Sequence, residues 1–162
     1  SRMLAETLDI AFINYTFRSL SQELGLPLGD IIEKAKNDFS YDRMVDTNQV
    51  ALAEKSSCVL GSRLAIWMLK NANLKVYLTA SEETRAARIM KREGGNLEEI
   101  SRFTALRDSE DTRRYKELYN IDNTDLSCAD MVIDTETNKP EDIVQIILEE
   151  LERRGLIGKE NP

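Results

Sequence analysis

The stretch LKVYLTASEETRAARIMKREGG, residues 74–95, contains a strand that leads directly into a helix. Its first five residues, Leu74–Leu78, form a short apolar run of the kind that indicates a β-strand. Glu82–Arg92 then places apolar side chains at helical spacing among charged ones, and Gly94 with Gly95 ends the pattern. A strand followed at once by a helix is the repeating unit of α/β folds.

The same alternation of strand and helix continues on both sides of this stretch. Three further apolar runs indicate strands, at Ile10–Asn14, Cys58–Leu60 and Met131–Asp134. Helical spacing of apolar side chains predicts helices over Met3–Leu8, Phe17–Leu24, Pro27–Asn37, Asp42–Glu54, Ala65–Leu69, Leu97–Tyr119 and Glu141–Arg154. Because the strands are short and apolar on both faces, we expect an α/β fold with a buried parallel sheet.

The helix predicted over Asp42–Glu54 carries its apolar side chains at several positions. We expect the side chains that face the core to be Met44, Val45, Val50, Leu52 and Ala53.

Length and composition exclude several classes of protein. The 162 residues suit one domain. The net charge of −7 argues against a nucleic-acid partner, which needs a basic face. The chain has no histidine, so His-ligated metal sites and His bases are excluded. No run of apolar residues is long enough for a membrane span. Cys58 and Cys128 are too few for a disulfide framework, and we expect a cytoplasmic protein.

Two predicted strands are followed by an arginine. Arg18 comes soon after the strand at Ile10–Asn14, and Arg63 comes three residues after Leu60. Parallel sheets bind ligands at the carboxyl ends of their strands. The two arginines are therefore candidate ligand-binding residues, although a lone arginine is more often a solvated surface charge.

Arginine is concentrated in one segment, where seven of the chain's arginines fall within residues 85–114 and Lys91 is the one lysine. The planar guanidinium grips phosphate or carboxylate through two hydrogen bonds, so this excess indicates oxyanion recognition. An exposed helix pair with many ion pairs would have the same composition. The position between two core strands, with Gly94 and Gly95 as a hinge, favours a lid that closes over a ligand.

Three runs of the chain resemble the cytidylate kinases, especially the short archaeal and spirochaete-type branch. They are GSRLAIWMLKNANLKVYLTASEETRAARIMKREG from residue 61, RDSEDTRRYKELYNID from residue 107 and ADMVIDT from residue 129. The resemblance extends from about residue 4 to residue 151. It implies a P-loop NTPase-type, three-layer α/β/α fold with a parallel sheet and an inserted helical lid. It also implies one nucleoside-monophosphate-kinase-like domain over residues 1–162, with the acceptor-binding region at about 15–57 and the lid at about 82–119.

The resemblance implies ATP-dependent phosphorylation of CMP or dCMP by a monomer, with Mg²⁺ as the metal ion. On the acceptor side, Arg18 resembles the arginine that holds the acceptor phosphate, and Arg63 the strand-end arginine near that phosphate and the base. Asp111 resembles the acidic residue that contacts the acceptor nucleoside. No residue is assigned to the metal ion.

The remaining candidate residues come from the lid. Arg107 and Arg114 resemble the lid arginines that close on the phosphates, where they would stabilise the charge of the migrating phosphoryl group. Arg85 and Arg88 resemble the arginines at the entrance of the lid that lie along the donor nucleotide.

The chain departs from the family pattern at the acceptor side. Phe12-Ile13-Asn14 stands where the family often has Ser-x-Gly, Thr47-Asn48 stands where it has two arginines, and Gly61 stands where it has an acidic residue. These departures leave two alternatives open. One is a catalytically degenerate nucleotide-binding module of the same fold, and the other is a P-loop kinase for another small acceptor.

The phosphate-binding loop of the family has no counterpart within residues 1–162. Leu4-Ala5-Glu6-Thr7-Leu8 matches the helix that follows this loop, so we expect the opening strand, the loop and its lysine to lie upstream of Ser1. We therefore predict that residues 1–162 alone do not transfer phosphate from ATP to CMP, because the donor phosphates lack their cradle. An ATP-dependent phosphorylation assay on this span checks the prediction, and turnover at the level of an intact kinase would contradict it.

Overall fold

The computed structural model describes residues 1–158, and strands and helices alternate through them as the sequence predicts. The strands within those residues are β1 Ala11–Ile13, β2 Cys58–Leu60, β3 Val76–Thr79 and β4 Met131–Asp134. The helices within them are α1 Arg2–Leu8, α2 Phe17–Leu24, α3 Leu28–Ala35, α4 Ser40–Ala53, α5 Ala65–Met68, α6 Glu82–Glu93, α7 Leu97–Tyr119 and α8 Pro140–Arg153. The predicted α/β class is confirmed.

The strands form two parallel pairs. β1 pairs with β2, with Ala11 opposite Cys58 and Ile13 opposite Leu60. β3 pairs with β4, with Val76 opposite Met131 and Thr79 opposite Asp134. The predicted parallel pairing is therefore present, but within residues 1–158 each strand has a partner on one edge only.

The strands are less buried than the sequence predicts. Leu78 and Val132 are exposed, whereas Ile133 is buried. The expectation that the strands are covered on both faces is wrong for these residues, because a two-stranded sheet offers less surface for helices to cover than a wider sheet does.

The chain divides into two compact units, Ser1–Ala72 and Asn73–Pro162. In the first unit, the buried side chains of Tyr15, Leu20 and Ile31 form a core where α2, α3 and α4 meet. Gly25 ends α2 in the left-handed conformation, with φ 66°, which a glycine adopts without strain. The single domain predicted over residues 1–162, with its acceptor region and lid, stays a prediction.

The inner face of α4 is polar, which corrects the sequence analysis. Met44 and Leu52, predicted to face the core, are exposed. Val45 and Val50 are half-buried. The buried face follows one side of the helix, at Asp42, Asp46, Gln49 and Ala53. Ala53 is buried as predicted and Val45 packs against the core, so the prediction is wrong for Met44 and Leu52 and missed the buried polar residues.

In the second unit, α6 and α7 form a helical hairpin over the segment predicted to be a lid. Ser81 Oγ accepts a hydrogen bond from the Thr84 amide at 3.1 Å and so caps α6. Asn96 Oδ1 accepts from the Glu99 amide at 3.1 Å and caps α7. Gly94, with φ 76°, makes the turn between them. Across residues 1–158, every helix is too short or too polar to cross a bilayer.

Candidate functional site

The carboxyl ends of β1 and β2 lie side by side. Ile13 is opposite Leu60, and the Gly61 amide donates a hydrogen bond to the Ile13 carbonyl oxygen at 3.0 Å. Arg18 is the second residue of α2, five residues beyond β1, and Arg63 is three residues beyond β2. Both arginines are exposed. The structure therefore brings the segments that carry these two predicted residues to one edge of the sheet.

Tyr15 connects the segment after β1 to α4. Its hydroxyl donates to Glu23 Oε2 at 2.7 Å and accepts from Asn48 Nδ2 at 3.2 Å. Burial, reinforced by the hydrogen bond to Glu23, raises the pKa of the Tyr15 hydroxyl. Asn48, which stands where the resemblance expects an arginine, thus holds α4 against the strand-end segment.

Gly61 and Phe12 depart from the family pattern together. A Cβ atom at Gly61 would lie 2.9 Å from a carbon of the Phe12 ring, closer than side-chain carbons approach each other. An acidic residue at position 61 would require the Phe12 ring to move. The aromatic side chain on β1 therefore accounts for the absence of a side chain after β2.

A buried polar cluster lies on the inner side of α4. Asp42, Asp46 and Gln49 are 7%, 8% and 5% exposed, and Gln49 Nε2 lies 3.5 Å from Asp46 Oδ1. Sequence reasoning did not find this cluster, because it assigned the inner face from apolar residues. The signal was present in the spacing of Asp42, Asp46, Gln49 and Ala53, which repeats on one side of a helix.

In the second unit, Arg85 joins α6 to α7. Its Nη1 and Nη2 donate to Asp108 Oδ1 and Oδ2 at 3.1 and 2.5 Å, a two-bond ion pair. The hydrogen bond that Arg85 donates to Asp108 raises the pKa of the Arg85 guanidinium, against the lowering effect of burial. Asp108 was not predicted as a site residue, although it follows Arg107 directly in the motif.

Arg88 lies against the carboxyl end of β4. Its Nη1 and Nη2 donate to Oγ1 and the carbonyl oxygen of Thr135 at 2.9 and 3.0 Å. Thr135 Oγ1 also donates to the carbonyl oxygen of Thr79 at the end of β3, at 2.9 Å. Arg88 is thus fixed at the edge where parallel sheets bind ligands.

A carboxylate next to this contact fixes the start of α6. Glu136 accepts hydrogen bonds from the Thr84 and Ser81 hydroxyls. These bonds, that from Thr84 first, lower the pKa of the Glu136 carboxyl. The start of α6 is therefore tied to the loop after β4.

Arg107, Asp111 and Arg114 lie along one side of α7, as predicted. Asp111 is buried, and its Oδ1 lies 3.3 Å from Arg114 Nη2. The Arg114 guanidinium also stacks over the Tyr115 ring at 5.1 Å. Arg107 is exposed and makes no hydrogen bond or ion pair with any other residue of the described part of the chain.

The predicted site residues therefore form two groups, one in each compact unit. Arg18 and Arg63 belong to the first unit, and the remaining five belong to the second: Arg85, Arg88, Arg107, Asp111 and Arg114. Between residues 1 and 158, no group of three or more Cys, Asp and Glu side chains is placed to hold a metal ion.

Short parallel strands with arginines after their ends, together with an arginine-rich helical hairpin, define an α/β protein. Comparison with known proteins identifies the family of this chain. The model of the cytidylate kinase-like family matches residues 1–137. The chain belongs to this family, and its P-loop NTPase-like kinase fold follows from that membership.

Individual relatives agree with the family match. The chain is 41% identical over 160 residues to cytidylate kinase 2 of Borreliella burgdorferi, covering 96% of this chain and 89% of that protein. It is 40% identical over 131 residues to a cytidylate kinase of Pyrococcus abyssi, covering 81% and 72% of the two chains. It is 34% identical over 155 residues to a cytidylate kinase of Archaeoglobus fulgidus, covering 94% and 86%.

The Arg85–Asp108 pair predicts a measurable coupling between α6 and α7. We expect a double-mutant cycle of Arg85→Met and Asp108→Asn to give a coupling free energy of about 0.5–1 kcal/mol, measured by urea unfolding at low salt. Two hydrogen bonds favour the upper end of this range, but 37% and 36% of the two side chains are exposed to screening solvent.

The Arg92–Glu93 pair serves as the control, because its side chains are 69% and 62% exposed and it forms one hydrogen bond. We expect a smaller coupling there. A cycle at Arg85 and Asp108 that gives no more than this control would contradict the assigned role.

Proposed function

We propose that the protein is a nucleoside monophosphate kinase that transfers the terminal phosphoryl group of ATP to CMP or dCMP. The observation that carries the proposal is the parallel register of β1 and β2, which places the segments of Arg18 and Arg63 at one edge. Family membership and the names of the relatives support CMP as the acceptor.

On the acceptor side, we assign Arg18 and Arg63 to the phosphate of the nucleoside monophosphate. A guanidinium binds phosphate through two parallel hydrogen bonds and stays charged at every physiological pH. The Arg18 side chain is exposed and has no hydrogen-bond or ion-pair partner within residues 1–158, so it reaches a ligand without breaking a protein contact.

In the lid, we assign Arg107 and Arg114 to the phosphoryl group in transfer. Its negative charge spreads over three oxygens in the transition state, and fixed guanidinium groups stabilise that charge. The buried Asp111 carboxylate holds the Arg114 guanidinium in place and is also the lid residue that we assign to the acceptor nucleoside.

On the donor side, we assign Arg85 and Arg88 to ATP. Both are fixed in direction, Arg85 by Asp108 and Arg88 by Thr135. Mg²⁺ usually binds through substrate phosphates with one or two carboxylates. The described residues contain no group of three or more Cys, Asp and Glu side chains placed to hold a metal ion, and we assign no residue to Mg²⁺.

A degenerate nucleotide-binding module is the second candidate. The observation that favours it is Asn48, which donates to Tyr15 at a position where the resemblance expects a phosphate-binding arginine. Turnover separates the two candidates, because the module would bind CMP without forming CDP.

If the protein is a kinase, we expect the Arg107→Ala substitution to lower kcat by roughly 10³-fold or more. This kcat is measured for CMP phosphorylation with the protein as its gene encodes it.

Binding measurements on this chain test the acceptor assignment. In thermal shift and calorimetric titrations, we expect CMP and dCMP to bind more tightly than UMP and AMP. Arg18→Ala and Arg63→Ala should each weaken CMP binding about 10- to 100-fold, since a hydrogen bond to a charged group contributes about 1.5–3 kcal/mol. Lys34→Ala, an exposed cation on α3, is the control and should leave CMP binding unchanged.

Two results would overturn the acceptor assignment. One is a shift with AMP as large as the shift with CMP. The other is unchanged CMP affinity in folded Arg18→Ala and Arg63→Ala proteins, with folding checked by circular dichroism.

A further inference from the structure

Thr135, the first residue after β4, is the protein partner of Arg88 at the carboxyl ends of β3 and β4. We infer that Thr135 is a positioning residue for the donor nucleotide, because it holds the Arg88 guanidinium by one edge and leaves the other edge for ATP. The inference rests on the proposed function, which assigns Arg88 to ATP.

The first argument is how firmly Thr135 itself is held. Its amide and its hydroxyl both donate to the carbonyl oxygen of Thr79, the last residue of β3, each at 2.9 Å. A hydroxyl has one proton, so the proton goes to Thr79 and the oxygen meets Arg88 as an acceptor. The end of β3 therefore fixes both the place and the hydrogen-bonding direction of the Thr135 hydroxyl.

The second argument is which edge of the Arg88 guanidinium Thr135 uses. Nη1 and Nη2, the end of the fork, donate to Oγ1 and the carbonyl oxygen of Thr135 at 2.9 and 3.0 Å. Nε makes no hydrogen bond with any residue of the described chain. A guanidinium carries five N–H groups, so Nε and the second hydrogen of Nη2 form another edge that can bind a phosphate through two bonds.

Arg85, one turn earlier on α6, is held by the same end of its fork but differs at Nε. Asp108 accepts from both of its Nη atoms, and its Nε is buried without a hydrogen-bond partner among residues 1–158. Arg88 is an exposed residue. Of the two arginines that we assign to ATP, Arg88 is therefore the better placed for a two-bond contact with a phosphate.

The third argument is that α6 is attached to this loop independently of the Thr135 side chain. Glu136 accepts hydrogen bonds from Ser81 and Thr84 at the start of α6, and the Thr135 amide ties the loop to β3. Removing the Thr135 hydroxyl therefore changes chiefly the freedom of the Arg88 side chain. Ordering a long side chain on binding costs about 2- to 10-fold in affinity, which a side chain held in advance avoids.

The test measures ATP and CMP binding by calorimetry, in the protein as its gene encodes it and in three variants. Thr135→Val keeps the side-chain shape and removes the hydroxyl, whereas Thr135→Ser keeps the hydroxyl. Thr137→Val is the matched control, because this exposed hydroxyl accepts a hydrogen bond from Asn138 and none from Arg88. We expect Thr135→Val to weaken ATP binding about 3- to 10-fold. CMP binding should stay within about twofold, and the other two variants should bind both nucleotides as the unaltered protein does.

A second measurement shows whether Thr135 acts through Arg88. We expect Arg88→Ala to weaken ATP binding, and Thr135→Val to cause no further loss in the Arg88→Ala protein. A merely structural role of Thr135 would instead lower the melting temperature and weaken ATP and CMP binding together, with or without Arg88.

Each outcome decides the inference. It is overturned by ATP binding within threefold of the unaltered protein in Thr135→Val, by a loss that Thr135→Ser shares, or by an equal loss in the Arg88→Ala protein. If Thr135→Val does not fold, Thr135→Ala, which also lacks the hydroxyl and needs less space, decides in its place. An unaltered protein that binds ATP without forming CDP from CMP defeats the kinase proposal alone, whereas one that does not bind ATP defeats both.

Discussion

The parallel pairing of β1 with β2 is the constraint on which the acceptor side of this molecule depends. Because Ile13 is opposite Leu60, both strands end at one edge, and the chain leaves that edge twice. The segment that follows β1 carries Tyr15 and Arg18, and the segment that follows β2 carries Gly61 and Arg63. A shift of the register by one residue would turn every side chain of one strand to the other face of the sheet. It would also move the segments that follow the two strands apart.

Two side-chain contacts fix the packing around this edge. Phe12 on β1 occupies the space above Gly61, and Asn48 hydrogen-bonds Tyr15 where an arginine would otherwise stand. The resemblance expects an acidic residue at position 61 and an arginine at position 48. This chain instead has Gly61 beside the Phe12 ring, and the amide of Asn48. On the acceptor side, Arg18 and Arg63 are the residues that we propose bind the phosphate. In the second unit, ion pairs and hydrogen bonds fix Arg85, Arg88 and Arg114, which lowers the cost of ordering these three side chains on binding a ligand.

Local signals were sufficient to predict most elements. The bounds of α2 and α7 agree with the sequence analysis, because Gly25 and Asn120 end these helices in the left-handed conformation that each residue type favours. The resemblance supplied the site residues, and the structure adds the partners of several of them, such as Asp108 for Arg85. Such partners depend on which helix faces come together, which spacing within one helix does not determine.

The face of α4 was predicted wrongly for a physical reason. Pattern analysis assumes that burial is driven by apolar area alone, so it selected Met44 and Leu52 and passed over Asp46 and Gln49. That assumption fails on this helix, where Asp42, Asp46 and Gln49 are buried together with Ala53. The burial of the strands was overestimated because it depends on the number of strands in a sheet, which the apolar pattern of one strand does not contain.

We propose that the acceptor nucleotide binds at the carboxyl edge of β1 and β2. The most direct test is a titration of the isotope-labelled chain with CMP, followed through its backbone amide resonances. The account predicts that the largest shifts fall at residues 15–18 and 61–63. Shifts confined to other segments, such as α8, or no shifts at saturating CMP, would contradict it.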